Sequence, residues 1–351
     1  MTKFRIAIFA IILALGGYVF WWYQVSEAAL TETKKSIAAM KQDGLKVEYS
    51  NMATDGFPYR VRLTISDVKI EGTEPARGGS YAFSADSVWA IAQPWNLKHV
   101  IFGTEGKTEL KVQEGEGLAT FLPKTVLGSI TMEKAAELKA LALDTNDITV
   151  IGKDEAAQIT IKRAQLHMRQ TEVVEKQPEH KDSPASEKAI RSTEAALRIN
   201  DILLPDMGGE NALGREISNA ALLLEWPGQP QNFLDERNLS KWSQTGDALD
   251  IKSAELNWKD GRLKANGTLT LDEKQRLLGT LTPEIWGYAA LLDRSGVLKA
   301  GGTPPEFMAM ILGMMNKKDE KGEDYLSLPM TFQDGWATLG PLKLFELEPL
   351  L

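Results

Sequence analysis

The sequence predicts an α+β fold that is mainly antiparallel β. It would start with an N-terminal transmembrane helix, followed by an elongated, curved antiparallel sheet with a few covering helices. An apolar run opens the chain, apolar and polar residues alternate along much of the rest, and two Asp-Gly pairs lie between alternating segments. Alternation is the period of a strand with one buried face, and Asp-Gly favours two-residue hairpin turns.

Alternation is clearest in residues 249–271, LDIKSAELNWKDGRLKANGTLTL. A turn at Asp260-Gly261 predicts a hairpin in which Trp258 lies opposite Leu263. Strand side chains alternate between faces, so the small and apolar residues would share one face. That face comprises Ala254, Leu256, Trp258, Leu263, Ala265 and Gly267. A one-residue slip would mix apolar with polar residues, so the faces are strongly specified.

The C-terminal segment LSLPMTFQDGWATLGPL repeats this pattern around Asp334-Gly335. A turn there predicts three opposed pairs: Met330 with Leu339, Thr331 with Thr338, and Phe332 with Ala337. Near the other end of the chain, Val61, Leu63 and Ile65 alternate regularly, but the phase changes at Ser66-Asp67 before Val68. Such a phase change predicts a β-bulge.

The N-terminus predicts a membrane anchor. Residues 6–23 are almost entirely apolar, follow Lys3 and Arg5, and end in an aromatic cluster. Their length suits a bilayer, and the two basic residues favour the cytoplasmic side. We therefore expect a single pass through the inner (cytoplasmic) membrane, the main domain in the periplasm, and Trp21, Trp22 and Tyr23 at the membrane interface. The alternative is a signal peptide cleaved near Ser26-Glu27-Ala28, where small residues suit a peptidase.

Composition divides the chain into five predicted regions. Residues 1–25 would be the transmembrane signal-anchor, 26–43 a stalk helix, 44–169 an N-terminal β region, 170–195 a flexible linker, and 196–351 a C-terminal β region with helical cover. Asp43-Gly44 would stop the stalk helix. The linker is predicted because its sequence is polar, charge-rich and contains two prolines.

Helical cover is expected from two segments near the C-terminus. Pro283–Arg294 and Pro304–Lys318 are separated by glycines, and the second is rich in methionine. Methionine adapts to irregular apolar partners. We expect this helix to pack against the sheet. The alternative is that it faces lipid or a partner protein.

Residues that carry chemistry are scarce. The chain has no cysteine, its three histidines have no metal-ligand spacing, and no nucleophile elbow, zinc motif or dinucleotide fingerprint occurs. The net charge of −8 argues against nucleic-acid binding. We therefore expect a protein that is not an enzyme, with no catalytic residues, cofactor or metal.

Several features together resemble a known family: the N-terminal anchor, the Gly56-Phe57-Pro58 turn into a strand, the Asp-Gly hairpins and the closing segment Gly335–Leu342. They resemble the periplasmic family catalogued as domain of unknown function 2125 and, more loosely, the AsmA-like superfamily of inner-membrane-anchored proteins. The second resemblance implies lipid handling along apolar β-sheet grooves. The first has no established activity, so no site residues carry over.

Three functional hypotheses follow. The first is lipid binding in an apolar groove, with phospholipid and the bilayer as partners. Its candidate residues are Leu256, Trp258, Leu263, Met310, Met314, Met330 and Phe332. The second is a non-catalytic scaffold or assembly factor that binds other envelope proteins and has a closed apolar core. The third, an enzyme, would require a polar pocket with convergent carboxylates.

Overall fold

The computed structural model describes residues 2–74, 79–133, 137–153, 157–176, 187–206, 214–229, 241–259, 261–287, 316–340 and 342–350. These residues form mostly antiparallel strands after a long N-terminal apolar helix, so the predicted fold class is confirmed. The chain divides into two compact units, residues 1–137 with 143–158 and residues 138–142 with 159–351.

The first unit contains helix α1 (Thr2–Gln42) and strands β1 (Lys46–Glu48), β2 (Asn51–Asp55), β3 (Val61–Glu74), β4 (Gly79–Gln93), β5 (Asn96–Glu114) and β6 (Gly117–Met132). Strand β7 (Leu138–Ile151) has residues assigned to both units. The second unit contains β8 (Gln158–Lys176), β9 (Glu187–Leu203), β10 (Glu216–Pro227), the short helix α2 (Trp242–Thr245), β11 (Leu249–Trp258), β12 (Gly261–Leu271), β13 (Leu277–Trp286), β14 (Asn316–Lys318), β15 (Asp324–Ser327), β16 (Met330–Gln333), β17 (Trp336–Leu339) and β18 (Leu342–Glu346).

Helix α1 joins the predicted anchor and stalk into one continuous element. Its most apolar window has a mean hydropathy of 2.0, so the helix is long and apolar enough to cross a membrane. It ends where the sequence predicts, because Gly44 adopts a left-handed conformation (φ 93°) and donates its N–H to the Lys41 carbonyl. A glycine in this conformation is a common helix stop.

In the first unit, β1 and β2 both pair with β3, and β3 to β6 follow as antiparallel neighbours. Val61 and Val68 of β3 are both buried although they lie seven residues apart. Regular alternation would place them on opposite faces. Asp67 between them has φ 51°, so the predicted break in phase occurs at the predicted position.

In the second unit, β8 to β13 pair in chain order, each antiparallel to the next. Strand β13 then pairs with both β15 and β16, while β14 joins β15 and β16 to β18 form a meander.

The predicted linker at residues 170–195 is wrong at both ends. Residues 170–176 continue β8 and residues 187–195 belong to β9, and the two strands pair with Lys176 opposite Glu187. Backbone hydrogen bonds between strands do not depend on side-chain polarity, so a polar sequence can extend a hairpin. Arg169 and Glu194, which form an ion pair at 2.7 Å, lie at the base of this extension.

The predicted helical cover is also wrong where it can be compared. Residues 283–286 belong to β13 and Asn316–Lys318 form β14, so neither predicted helix has its expected bounds. Residues 288–315, which contain Met310 and Met314, lie outside the described residues. Pro283 is tolerated inside a strand, and it lies opposite Ala265 of β12.

The two predicted hairpins have different outcomes. Around Asp334-Gly335 the register is the predicted one, with Phe332 opposite Ala337. In the other hairpin Trp258 lies opposite Gly261 instead of Leu263, so the pairing from Ala254 to Trp258 is shifted by two residues from the predicted one. Because the shift is even, the predicted division into two faces survives although the partners are wrong.

Candidate functional site

Helix α1 is attached to the first unit by one face. Tyr18, Trp22 and Ser26 recur every four residues, so they lie above one another on the helix. The Tyr18 hydroxyl donates to the Pro58 carbonyl, the Trp22 indole N–H donates to the Arg60 carbonyl at 3.1 Å, and the Ser26 hydroxyl donates to Thr54 at 2.7 Å. The C-terminal part of the apolar stretch of α1, from Tyr18 to Ser26, is thus bound to the β2–β3 hairpin.

Aromatic rings complete this contact. Phe57, in the turn between β2 and β3, meets the Trp22 ring edge-on at 5.5 Å between centroids and the Tyr18 ring at 6.3 Å. Trp22 is only 4% exposed, whereas Trp21 is 39% exposed and Tyr23 is 61% exposed. Of the three residues predicted for the membrane interface, Trp22 therefore faces protein, and the other two keep an outward surface.

A continuous apolar face crosses the second unit. The register places Ile199 opposite Ala220, Ala220 opposite Leu256, and Leu256 opposite Leu263. Opposed residues of antiparallel strands share a face, so this row runs across β9, β10, β11 and β12. A second row beside it contains Leu197, Leu222, Ala254 and Ala265.

This apolar face is closed at its two ends and half-exposed between them. At one end Trp226 and Ala195 pack with Trp242 of α2, and all three are buried. At the other end Phe332 is buried opposite Ala337, which has no exposed surface. Between them lies a shallow cavity of about 160 Å³. Its lining is apolar except for Glu255 and comprises Leu197, Ile199, Ala220, Ala221, Leu222, Ala254, Glu255, Leu256 and Leu263.

The predicted groove residues separate into three groups. Leu256 and Leu263 line the cavity. Trp258, Met330 and Phe332 lie on the same face but outside the cavity lining. The Trp258 indole N–H donates to the Gly214 carbonyl at 3.0 Å, and Phe332 belongs to the closed end. Met310 and Met314 lie outside the described residues.

Sequence reasoning missed the half of the cavity that β9 and β10 provide. Leu197 and Ile199 do alternate with polar residues, which is a usable signal. In β10, however, Ala220 to Leu224 are apolar without a break, so alternation cannot show which residues share a face. Only pairing with β11 places Ala220 and Leu222 in the cavity.

The opposite face of the same strands is polar. A second cavity, of about 490 Å³, is lined there by Gln165, His167, Arg198, Ser253 and Glu255 together with Ala and Leu residues that include Leu223. Glu255 is the carboxylate in this lining, and its oxygen lies 3.9 Å from the Lys264 ammonium. Paired carboxylates of the kind used in acid–base catalysis are not brought together in this cavity.

A layered cluster occupies the end of the polar face. The Arg262 guanidinium lies 4.0 Å from the centre of the Trp286 ring, and that ring stacks on Tyr325 at 5.1 Å. The Trp286 indole donates to Asp319, and Arg262 pairs with Asp319 and with Glu323 at 3.0 Å. The charges of the cluster pair with one another, so we interpret it as a structural support of the β14–β15 loop.

Asp319 organises that loop. One carboxylate oxygen accepts the backbone N–H groups of Lys321 and Glu323, both at 2.9 Å. Burial acts to raise the pKa of Asp319, but these hydrogen bonds, the Trp286 indole and Arg262 outweigh it and hold the pKa below its usual value. Among the residues that the structure describes, no group of three His, Asp or Glu residues is placed to hold a metal ion.

Comparison with protein families decides the affiliation of the chain. Residues 21–348 match the family described as "Uncharacterized protein conserved in bacteria (DUF2125)". The chain belongs to this family. No curated protein and no solved structure matches it. The looser resemblance to AsmA-like proteins stays a prediction.

The extent of the family match bears on α1. The match begins at residue 21, ahead of the small residues that suit a signal peptidase, and therefore includes Trp22 and Ser26. Both of these residues are buried against the β2–β3 hairpin. The last turns of the apolar helix are therefore part of the family's domain, and the helix is suited to anchor that domain in a membrane.

Proposed function

We propose that this protein is a single-pass protein of the bacterial inner membrane that holds a lipid-binding β domain in the periplasm. Helix α1 is the anchor, with Lys3 and Arg5 on the cytoplasmic side by the positive-inside bias. Retention of the helix is supported by the burial of Trp22 and Ser26, because cleavage near Ala28 would remove both contacts with the domain.

The observation that carries the lipid-binding proposal is the half-exposed middle of the apolar face. Its cavity of about 160 Å³ is smaller than the roughly 300–1,000 Å³ typical of pockets for drug-sized ligands. It therefore suits part of one acyl chain rather than a whole lipid. Each buried methylene contributes about 0.8 kcal/mol, so a few carbons would give appreciable affinity.

The proposed activity is binding without catalysis. The cavity lining is mainly Leu, Ile and Ala, which supply contact area and no proton transfer or nucleophile. The main competing proposal is a scaffold or assembly factor for other envelope proteins, in which the apolar face takes no lipid. The two proposals differ in what the purified protein should carry.

The test uses the full chain, because truncation at Ser26 would remove Trp22 from its contact with the hairpin. Protein extracted in detergent and then washed free of loosely held lipid is analysed by native mass spectrometry. We expect bound phospholipid in the wild type and a strong loss in Leu222→Asp. Leu223→Asp is the matched control, because Leu223 is the next residue of β10 and lies on the polar face.

Equal retention of lipid by both variants would contradict binding at the apolar face. Lipid-free, folded wild-type protein that takes up none from liposomes would favour the scaffold instead. A C-terminal alkaline phosphatase fusion separately tests the orientation, and we expect it to be active. An inactive fusion, or release of the protein by alkaline extraction, would contradict the anchor.

A further inference from the structure

One end of the first unit's sheet carries exposed aromatic residues on two neighbouring turns. Phe57 and Tyr59 lie in the turn between β2 and β3, and Tyr59 is 75% exposed. Trp95, which is 57% exposed, lies in the turn between β4 and β5. Val61 of β3 is opposite Ala92 of β4, so both turns project from the same end of the sheet.

The contacts of α1 show which part of the helix lies beside this end of the sheet. Residues 6–26 contain no charged side chain and span roughly 30 Å as a helix, the thickness of a bilayer's hydrocarbon core. Along that stretch Trp22 lies about 6 Å and Tyr18 about 12 Å inside the level of Ser26. These two residues bind the carbonyls of Arg60 and Pro58, so the turn lies at membrane depth beside the anchor.

The strands lead away from that level. Ser26 bonds to Thr54, farther from the turn, while Tyr18 bonds to Pro58 within it. From residue 18 to residue 26, α1 therefore runs antiparallel to β2, from the turn towards the start of that strand. Within the sheet of this unit, the turns at Phe57 and Trp95 therefore lie nearest the membrane centre, and the strands extend away from them.

The chemistry of the β2–β3 turn suits this depth. Gly56-Phe57-Pro58-Tyr59 is uncharged and is bounded by Asp55 and Arg60. Unpaired backbone groups are costly in a lipid environment. Here Pro58 lacks an N–H, the Arg60 N–H donates to the Gly56 carbonyl, and the Pro58 and Arg60 carbonyls accept from α1. Arg60 is exposed, and its long side chain can extend to a lipid phosphate.

We propose that the turns carrying Phe57, Tyr59 and Trp95 insert into the outer leaflet of the same bilayer that α1 spans, as a second membrane contact of the domain. The partner is the lipid itself, with the aromatic rings inside the headgroup layer and the Arg60 side chain extended back to the phosphates. Tyrosine and tryptophan are enriched near the boundary between hydrocarbon and headgroups. The inference rests on the proposed anchor and adds that the β domain is held against the membrane rather than displayed on a free stalk.

The experiment exploits the absence of cysteine from the chain. Single cysteines are introduced in the full-length protein by Tyr59→Cys, Trp95→Cys, Leu15→Cys and Glu116→Cys, and each is labelled with an environment-sensitive fluorophore. Leu15 is exposed on α1 and lies near the middle of the uncharged stretch 6–26. The proteins are reconstituted in vesicles of phosphatidylcholine and phosphatidylglycerol that carry nitroxide lipids at shallow or deep positions. Circular dichroism checks folding. Glu116 is the matched control, since its side chain is 98% exposed in the β5–β6 turn, roughly 60 Å along β5 from Trp95.

We expect the probes at 59 and 95 to be blue-shifted and quenched by the nitroxide lipids, the probe at 15 to be quenched most by the deep nitroxide, and the probe at 116 by neither. If position 15 is quenched while 59 and 95 behave like 116, the second contact is refuted and the anchor stands. If position 15 is not quenched, the anchor is refuted, and the inference fails with it.

Discussion

The molecule has two apolar surfaces that are covered to different extents. On α1, residues such as Phe4, Phe9 and Leu13 are about two-thirds exposed, and a single helical face, that of Tyr18, Trp22 and Ser26, meets protein. The apolar face of the second unit is closed at both ends and half-exposed between them. The apolar part of the helix is therefore long and exposed enough to cross a membrane, whereas the sheet face has room for one narrow apolar ligand.

The largest expected effect separates the two sides of α1. Trp22→Ala removes a buried ring and leaves the Arg60 carbonyl without its indole donor, so we expect a loss of about 3–5 kcal/mol in unfolding free energy. Trp21→Ala, one residue away and on the exposed side, should cost far less. Denaturant unfolding of the full chain in detergent measures both. Equal losses would show that α1 is not docked through the face containing Trp22.

A smaller effect separates the closed end of the sheet face from its open middle. Ala337 has no exposed surface, so Ala337→Leu overpacks the contact with Phe332 and should cost about 1–3 kcal/mol. Ala220 borders the cavity, so Ala220→Leu should change stability by less than about 0.5 kcal/mol while reducing bound lipid. Thermal melting and native mass spectrometry measure the two properties. A costly Ala220→Leu would mean that the middle of the face is closed as well.

The smallest effect concerns the acid stability of the loop at Asp319. Because the pKa of Asp319 is lowered in the folded protein, its contribution is present above the ordinary carboxyl pKa of about 3.9 and is lost as the pH falls through the folded value. We expect Asp319→Asn to lower the melting temperature at pH 7 and to flatten its decline in acid. Asp324→Asn is the control, because Asp324 makes an exposed ion pair with Lys318 at 3.8 Å. Parallel acid profiles of Asp319→Asn and the wild type would contradict this role.

The hairpins show how far alternation predicts a sheet. Around Asp334-Gly335 both turn residues adopt positive φ, 53° and 80°, so the turn chemistry and the register agree. In the other hairpin Lys259 takes the left-handed position at φ 51°, which lysine rarely does, and the turn starts one residue earlier than Asp-Gly predicts. The face to which each side chain belongs was predictable, because an even shift in register preserves the faces. The residue opposite each side chain was not predictable, because the position of the turn alone sets it.

A recurrent break in phase could also have been recognised. Asp67, Asp147 and Asp201 all have φ near 50° within long strands, and each follows Ser or Asn and precedes Val or Ile. Aspartate and asparagine tolerate this conformation better than most residues. The phase change at Asp67 was predicted, but its recurrence was not. The β8–β9 extension was not predicted for a different reason, since polar strands held by backbone pairing leave no apolar period to detect.

The most direct test of lipid binding on the apolar face places a photoreactive benzoylphenylalanine at position 256 or 257 of the full chain. Leu256 lines the cavity on the apolar face, and Asn257, its neighbour in β11, lies on the polar face. Cells are supplied with an alkynyl fatty acid, and their membranes are illuminated and probed for protein-linked lipid. We expect a lipid adduct at 256 and little at 257. Equal labelling at the two positions, or none at 256 in folded protein, would contradict lipid binding on the apolar face.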